Sequence, residues 1–299
     1  LVKVTASAVN PSDYGSWTRA AEKYLPMAVG KEGCGIIVAS GGGLLSTFSA
    51  GVGTAVGFVN LPNYQGTYAE YVVADALHVY ALPADLNVAD AASFFVNPYT
   101  AVGILDTAPK ALIHTAAASQ LGQMMVQLAP KVGKTVVNVV RRKEQVDLLT
   151  KLGAEHVICT ADADGMEQLS NKIDELGITT AFDAVAGPMA GELLTLLPKG
   201  GTCYVYGALA GKVSQIDPMD LIYKQKHLKG FYLVEWIQAG GILATLPRIR
   251  HASSLVMEGL KDGWSASQFQ DTTLEKMHYD LLELMSSGAT GKKLRVRLE

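Results

Sequence analysis

The chain has 299 residues, of which 49% are hydrophobic, 18% charged and 30 are glycine. That composition fills a large core, suits about two domains and excludes a disordered or fibrous chain. Lys and Arg number 25 against 28 Asp and Glu, a formal net charge of −3 with the signs interspersed. Without a basic stripe, neither nucleic acid nor an anionic membrane surface is an expected partner. The longest weakly charged stretches are interrupted by Gly, Pro and polar residues, so no membrane span is expected.

The first elements are β-type. Leu1 to Ala6 alternates like a strand, and a strand that starts at the first residue leads us to expect further residues, such as a targeting peptide, ahead of Leu1. Short runs at Gly35–Ala39, Thr54–Val59 and Tyr68–Val73, punctuated by Gly, Pro and Asn, predict an all-β unit over residues 1–98. The period then changes. Strand Ala111–Thr115, helix Leu121–Ala129, strand Thr135–Val140, helix Glu144–Leu152 and strand His156–Cys159 follow in order. Helix Met166–Leu176, strand Thr180–Ala184, helix Met189–Leu197, strand Gly201–Tyr206 and strand Leu228–Val234 complete the series. Apolar strands alternating with helices predict a doubly wound parallel sheet covered on both faces, over residues 99–236. Residues 237–299 read as polar helix ending in the alternating strand Lys293–Leu298, which is expected to return to the first domain.

Three scattered cysteines (Cys34, Cys159, Cys203) suit a reducing compartment, either cytoplasm or an organellar matrix or stroma. The six histidines lack HxxxH or HExxH spacing, so no metal site is expected.

The chemistry concentrates at the first βα corner, Ala116-Ala117-Ala118-Ser119-Gln120-Leu121-Gly122. In a doubly wound sheet this corner receives a dinucleotide pyrophosphate on helix N-terminal amides, and small residues let the backbone approach it. With Ala and Ser in place of the usual glycines, the string alone is weak, and an ordinary small-residue turn would read the same way. About twenty residues on, where an NAD-binding chain places Asp or Glu, stand Arg141-Arg142-Lys143. Guanidinium forks at that corner suit an adenosine 2′-phosphate, so the sign of the charge favours NADPH over NADH. Cations are unfavourable at a helix start, which predicts an anionic group beside them.

Several strings share their order with one family. They are Val9-Asn10-Pro11-Ser12-Asp13, Val29–Gly35, Phe95–Ala101, the turn above, Asn138–Arg141, Leu152–Ile158, Phe182–Gly187, Tyr204–Leu209 and Gly230–Trp236. On these the chain resembles the medium-chain dehydrogenase/reductase superfamily, in its zinc-independent branch of quinone oxidoreductases and 2-enoyl thioester reductases. The resemblance implies a GroES-like catalytic domain built from both chain ends around an inserted Rossmann domain, and commonly a homodimer paired through the sheet edge at Leu228–Val234. Zinc-dependent relatives carry a ligand cysteine near the position of Asn10, together with four structural cysteines, and this chain has neither.

By the same resemblance Asn97 lies on the nicotinamide side of the cofactor, and Ala118, Ser119, Gln120 and Leu121 contact the pyrophosphate. Arg141, Arg142 and Lys143 hold the 2′-phosphate. Tyr206, Gly207, Ala208 and Leu209, with Phe231, Tyr232, Leu233 and Val234, line the nicotinamide pocket, and Lys292 reaches the cofactor. The implied activity is NADPH-dependent reduction of a quinone or an enone, with an enoyl thioester of fatty-acid synthesis as the alternative substrate. A non-catalytic, NADPH-binding subunit is the rival from another class. Asn10, Tyr14 or Asn97 would polarise the carbonyl. Family thioester reductases carry a loop tyrosine where this chain has Ala21, between Tyr14 and Tyr24, so the proton donor is left open among Tyr14, Tyr24 and water.

Overall fold

The computed structural model describes residues 1–19, 22, 25–43, 50–60, 65–287 and 291–298. The chain forms two compact units, Leu1–Tyr99 with Ser253–Glu299, and Thr100–Ala252. The return to the first unit thus begins at Ser253, where the sequence reading puts residue 237.

The first unit is a seven-stranded sheet. Its strands are β1 (Val2–Ala8), β2 (Glu32–Ile37), β3 (Ala55–Val59), β4 (Tyr71–Val72), β5 (Val79–Ala81), β12 (Phe269–Thr272) and β13 (Lys293–Arg297). The order is β12-β13-β1-β2-β3-β5, with β4 also on β1. Strand β13 lies antiparallel to β1, pairing Ala6 with Arg297 and Ala8 with Arg295. The two chain ends are therefore stitched side by side, as the alternating terminal run predicts. Val4, Val56, Phe58, Val72, Leu294 and Val296 form the core of this unit. Helices α1 (Pro11–Arg19) and α10 (Met277–Ser286) flank the strands, and α2 covers Val96–Thr107.

The second unit holds six parallel strands, β6 (Ala111–Thr115), β7 (Thr135–Val140), β8 (His156–Cys159), β9 (Thr180–Asp183), β10 (Thr202–Val205) and β11 (His227–Gly230). Their order, β11-β10-β9-β6-β7-β8, is the doubly wound one, and it reverses between β6 and β9. Between the strands run α3 (Gln120–Lys131), α4 (Lys143–Lys151), α5 (Gly165–Leu176), α6 (Pro188–Leu196) and α7 (Pro218–Ile222). Helices α8 (Leu233–Gln238) and α9 (Ile242–Asp262) follow β11. Ile113, Val137, Val139 and Ile158 bury one sheet face against Leu169, Ile173, Leu193 and Leu194 of α5 and α6. Val140 and Cys159 meet Val126 and Leu149 of α3 and α4 on the other. Both faces are covered, which is why these strands read as continuous apolar runs rather than alternating ones.

One strand is shorter than its sequence suggests. β11 ends at Gly230, not Val234: Phe231 N–H donates a last bond to Val205 O at 2.9 Å, and the chain then turns into α8 at Leu233. Among the described residues β11 has a neighbour only in β10, so once that strand ends no further ladder holds the apolar run Phe231–Val234 extended.

Candidate active site

The βα corner after β6 is built as the sequence predicts. Ser119 caps α3, its Oγ accepting from Gly122 N–H at 3.2 Å. Ala116 takes the left-handed conformation, φ 50°, which lets the chain reverse before the helix. A Cβ at Gly122 would lie 2.1 Å from Ala117 O, so only glycine allows α3 to start this close to the turn. Ala118, Gln120 and Leu121 are buried. The corner therefore presents the positive end of a three-turn helix through small residues, which is the chemistry a pyrophosphate requires.

At the neighbouring corner β7 ends at Val140. Arg141 is exposed, and its backbone N–H donates to Gln145 Oε1 at 3.2 Å. Arg142 occupies the N-cap of α4 with no side-chain cap bond, and Lys143 opens the helix. The anion expected near these cations is partly the protein's own: Asp162 Oδ1 lies 3.2 Å from Lys143 Nζ. Among the described residues no ion pair engages Arg141. An exposed guanidinium here, at the end of the second strand, fits the 2′-phosphate of NADPH.

The loops after β9 and β10 are held at the point where the strand order reverses. Thr115 Oγ donates to Asp183 Oδ1 at 2.6 Å, and that fully buried carboxylate also accepts from Val185 and Ala186 N–H, each at 2.9 Å. Leu209 and Ala210 N–H donate to Ala184 and Val185 carbonyls. A Cβ at Gly207 would lie 2.6 Å from Ala184 O, so Gly207 is what lets these two loops run together. Tyr206 is half-buried, and Ala208 and Leu209 are exposed. Of the other predicted pocket residues, Tyr232 is exposed while Phe231, Leu233 and Val234 are half-buried.

In the first unit one predicted residue, Asn10, belongs to a buried polar network that the sequence reading did not foresee. Asn10 is fully buried. It donates through Nδ2 to Glu32 Oε1 at 2.8 Å, and its Oδ1 accepts from Lys293 Nζ at 2.8 Å. Lys293 also donates to Ser93 Oγ at 2.7 Å. Glu32 Oε2 accepts from Phe95 and Val96 N–H, both at 2.9 Å, so its carboxylate sits on the N-terminus of α2 and fixes the turn that carries Asn97. Burial lowers the Lys293 pKa, against the pull of Glu32 and Asp13. Asp13 Oδ2 accepts from Asn10 N–H at 2.8 Å, and burial pushes Asp13 up to about 6.

Asn10 is thus a bridge rather than an exposed donor. Tyr14 and Asn97 are half-buried, and burial together with Asp13 raises the Tyr14 pKa. Lys292 is exposed, and it is its neighbour Lys293 that enters the network. Tyr24 and Ala21 lie outside the described residues. Among the described residues no three His, Cys, Asp or Glu side chains group as metal ligands.

A GroES-like sheet that joins both chain ends, and a doubly wound sheet with a small-residue phosphate corner, define a two-unit nicotinamide-dinucleotide dehydrogenase architecture. Comparison with known proteins agrees. Residues 1–84 match the alcohol dehydrogenase GroES-like domain, and residues 121–244 match the zinc-binding dehydrogenase domain. The chain is 31% identical over 246 residues to a mitochondrial enoyl-[acyl-carrier-protein] reductase of Xenopus tropicalis, covering 79% of this chain and 69% of that protein. The Bos taurus protein of the same name is 30% identical over 251 residues, again across 79% of this chain, and the match spans 65% of its length. A solved structure from Mesorhizobium loti, provisionally named an NADPH:quinone reductase, superposes with a TM-score of 0.83 at 29% identity, over 99% of this chain and 86% of that one. The chain belongs to the medium-chain dehydrogenase/reductase superfamily, in its zinc-independent branch of quinone oxidoreductases and enoyl reductases.

Proposed function

We propose that this chain is an NADPH-dependent oxidoreductase that reduces a quinone or an activated, α,β-unsaturated alkene without zinc. The observation that carries the reading is the cationic corner Arg141-Arg142-Lys143 at the end of β7, beside the small-residue turn on α3. When bound, the nicotinamide supplies hydride. The residues of the chain bind and orient.

Amides at the start of α3, around Ala118, Ser119, Gln120 and Leu121, hold the pyrophosphate. Arg141 and Arg142 hold the 2′-phosphate by charge-assisted bonds, with Lys143 adding charge while Asp162 holds it in place. The loops Tyr206–Leu209 and Phe231–Val234 line the nicotinamide pocket, and Asn97, on the turn that Glu32 fixes, is assigned to the nicotinamide side of the cofactor. Lys292 reaches the cofactor from the start of the terminal strand. Tyr14, kept protonated by burial, and Asn97 donate hydrogen bonds to the oxyanion that develops on the acceptor. Asn10 positions Lys293 and Glu32 rather than touching the acceptor. A homodimer through the β11 edge completes the reading.

The cofactor assignment is tested by replacing Arg141 and Arg142 with Ala. Each charge-assisted bond is worth about 1.5–3 kcal/mol, so the NADPH dissociation constant should rise roughly 10- to 100-fold or more, with that of NADH almost unchanged. Equal weakening of both would remove the 2′-phosphate assignment. A second reading, a 2-enoyl thioester as the acceptor, is favoured by the names of the curated relatives at 30 and 31% identity.

A further inference from the structure

One contact in the second unit is not used by the binding roles above, that of His114 with Tyr206. His114, on β6, is fully buried, and its Nε2 lies 2.6 Å from Tyr206 Oη. The two rings are nearly parallel, at 9°. Tyr206 follows β10, and β9 stands between β10 and β6. The phenol therefore reaches across β9 and sets its hydroxyl beside the end of β6. That is where the strand order reverses, and where ligands meet the carboxyl edge of a doubly wound sheet.

The hydrogen shared by this pair can be placed by elimination. Burial pushes the His114 pKa down to about 3, so the ring is neutral and carries one hydrogen. Its Nδ1 has no hydrogen-bond partner among the described residues. An orphaned buried N–H is rarer and costlier than a bare acceptor lone pair, which puts the hydrogen on Nε2. His114 then donates to Tyr206 Oη. The phenol's own hydrogen, which has no acceptor among the described residues, is left to point away from His114.

We propose that Tyr206 is the proton donor of alkene reduction and that His114 is the positioning residue that aims it, an inference that rests on the reductase reading. Hydride from the reduced nicotinamide dinucleotide forms a C–H bond at the β-carbon, and the alkene π pair moves onto the α-carbon and carbonyl oxygen as an enolate. The Tyr206 O–H bond breaks, its proton forms the α-C–H bond, and the electron pair left on the phenolate oxygen is held by His114 Nε2–H. A solvent proton then restores the phenol. Burial and the nearby Asp183 raise the Tyr206 pKa, so the phenol keeps its proton until a base as strong as the enolate develops beside it. A quinone takes its protons on oxygen, where water supplies them, and does not need Tyr206.

The experiment compares wild type with Tyr206→Phe, His114→Gln and His114→Phe. It measures NADPH affinity by fluorescence, and NADPH oxidation with a 2-enoyl thioester and with a naphthoquinone, in H2O and in D2O. A positioned proton donor contributes about 10²–10⁴-fold, so Tyr206→Phe, which keeps the aromatic ring in the pocket, should lose roughly that factor on the thioester and far less on the quinone. The solvent isotope effect on the thioester should change with it. His114→Gln, which retains an N–H donor, should keep more thioester turnover than His114→Phe. The 15N shifts of His114 should put its hydrogen on Nε2. Unchanged thioester turnover in Tyr206→Phe, an equal loss on both acceptors, or a hydrogen on Nδ1 would overturn the proposal and leave the reductase reading standing. Wild-type protein that binds NADPH but reduces neither acceptor would overturn the reductase reading itself, and this proposal with it.

Discussion

Asp13 shows how one residue carries the cost of the buried network in the first unit. Burial raises its pKa from 3.8 to about 6, so the folded chain holds this proton more tightly than the unfolded chain does. The stability that the proton confers is therefore complete below about pH 4 and is lost as pH rises through 6, by up to about 3 kcal/mol. Asp13→Asn keeps an acceptor for Asn10 N–H without the charge. It should be more stable than wild type by about 1–3 kcal/mol in denaturant unfolding at pH 8, with the gain fading by pH 4. A gain of the same size at both pH values would contradict the assignment. The network itself was hidden from sequence. Lys292 and Lys293 differ by one position, and only the register of β13 against β1 decides which of them turns inward to Asn10 and Ser93. His114 was equally hidden: a lone histidine in an apolar strand reads as packing, and its partner Tyr206 lies 92 residues away.

At the scale of the element, the α/β half was legible because the inner strands β6, β7 and β9 are buried on both faces and the long helices beside them carry one-sided apolar stripes. Ala111–Thr115 and His156–Cys159 occur as read, and the helices begin or end within a residue or two of their expected limits. The β half was less legible. Its strands are short and their ends are set by neighbours, so that the run Tyr68–Val73 contracts to Tyr71–Val72. At the phosphate corner only Gly122 remains of the usual glycines, so the string alone was weak and the reading leaned on the cationic corner that follows β7. Gly122→Ala would drive a methyl into Ala117 O. We expect a loss of about 1–3 kcal/mol in unfolding free energy, as overpacking typically costs, together with a weaker NADPH complex as α3 shifts from the turn. Unaltered stability and NADPH affinity would show that the close approach is dispensable.

At the scale of the molecule, the edge of the parallel sheet at β11 is an exposed β surface. All four residues of β11 are exposed, and Met219, Leu221, Ile222 and Tyr223 nearby are exposed apolar side chains. An unpaired edge flanked by exposed apolar side chains invites a second copy, and a two-fold axis would satisfy both edges at once. Light scattering should give twice the chain mass for wild type and the single mass for Leu228→Asp; a monomeric wild type would contradict the dimer. No described helix is long and apolar enough to cross a membrane. The proposal that this chain is an NADPH-dependent reductase is tested most directly by NADPH oxidation with a naphthoquinone and a 2-enoyl thioester, with NADH as the control. Turnover of at least one acceptor is expected with NADPH, and little with NADH. NADPH binding with no turnover of either would contradict it and point to a subunit that holds the cofactor without using it.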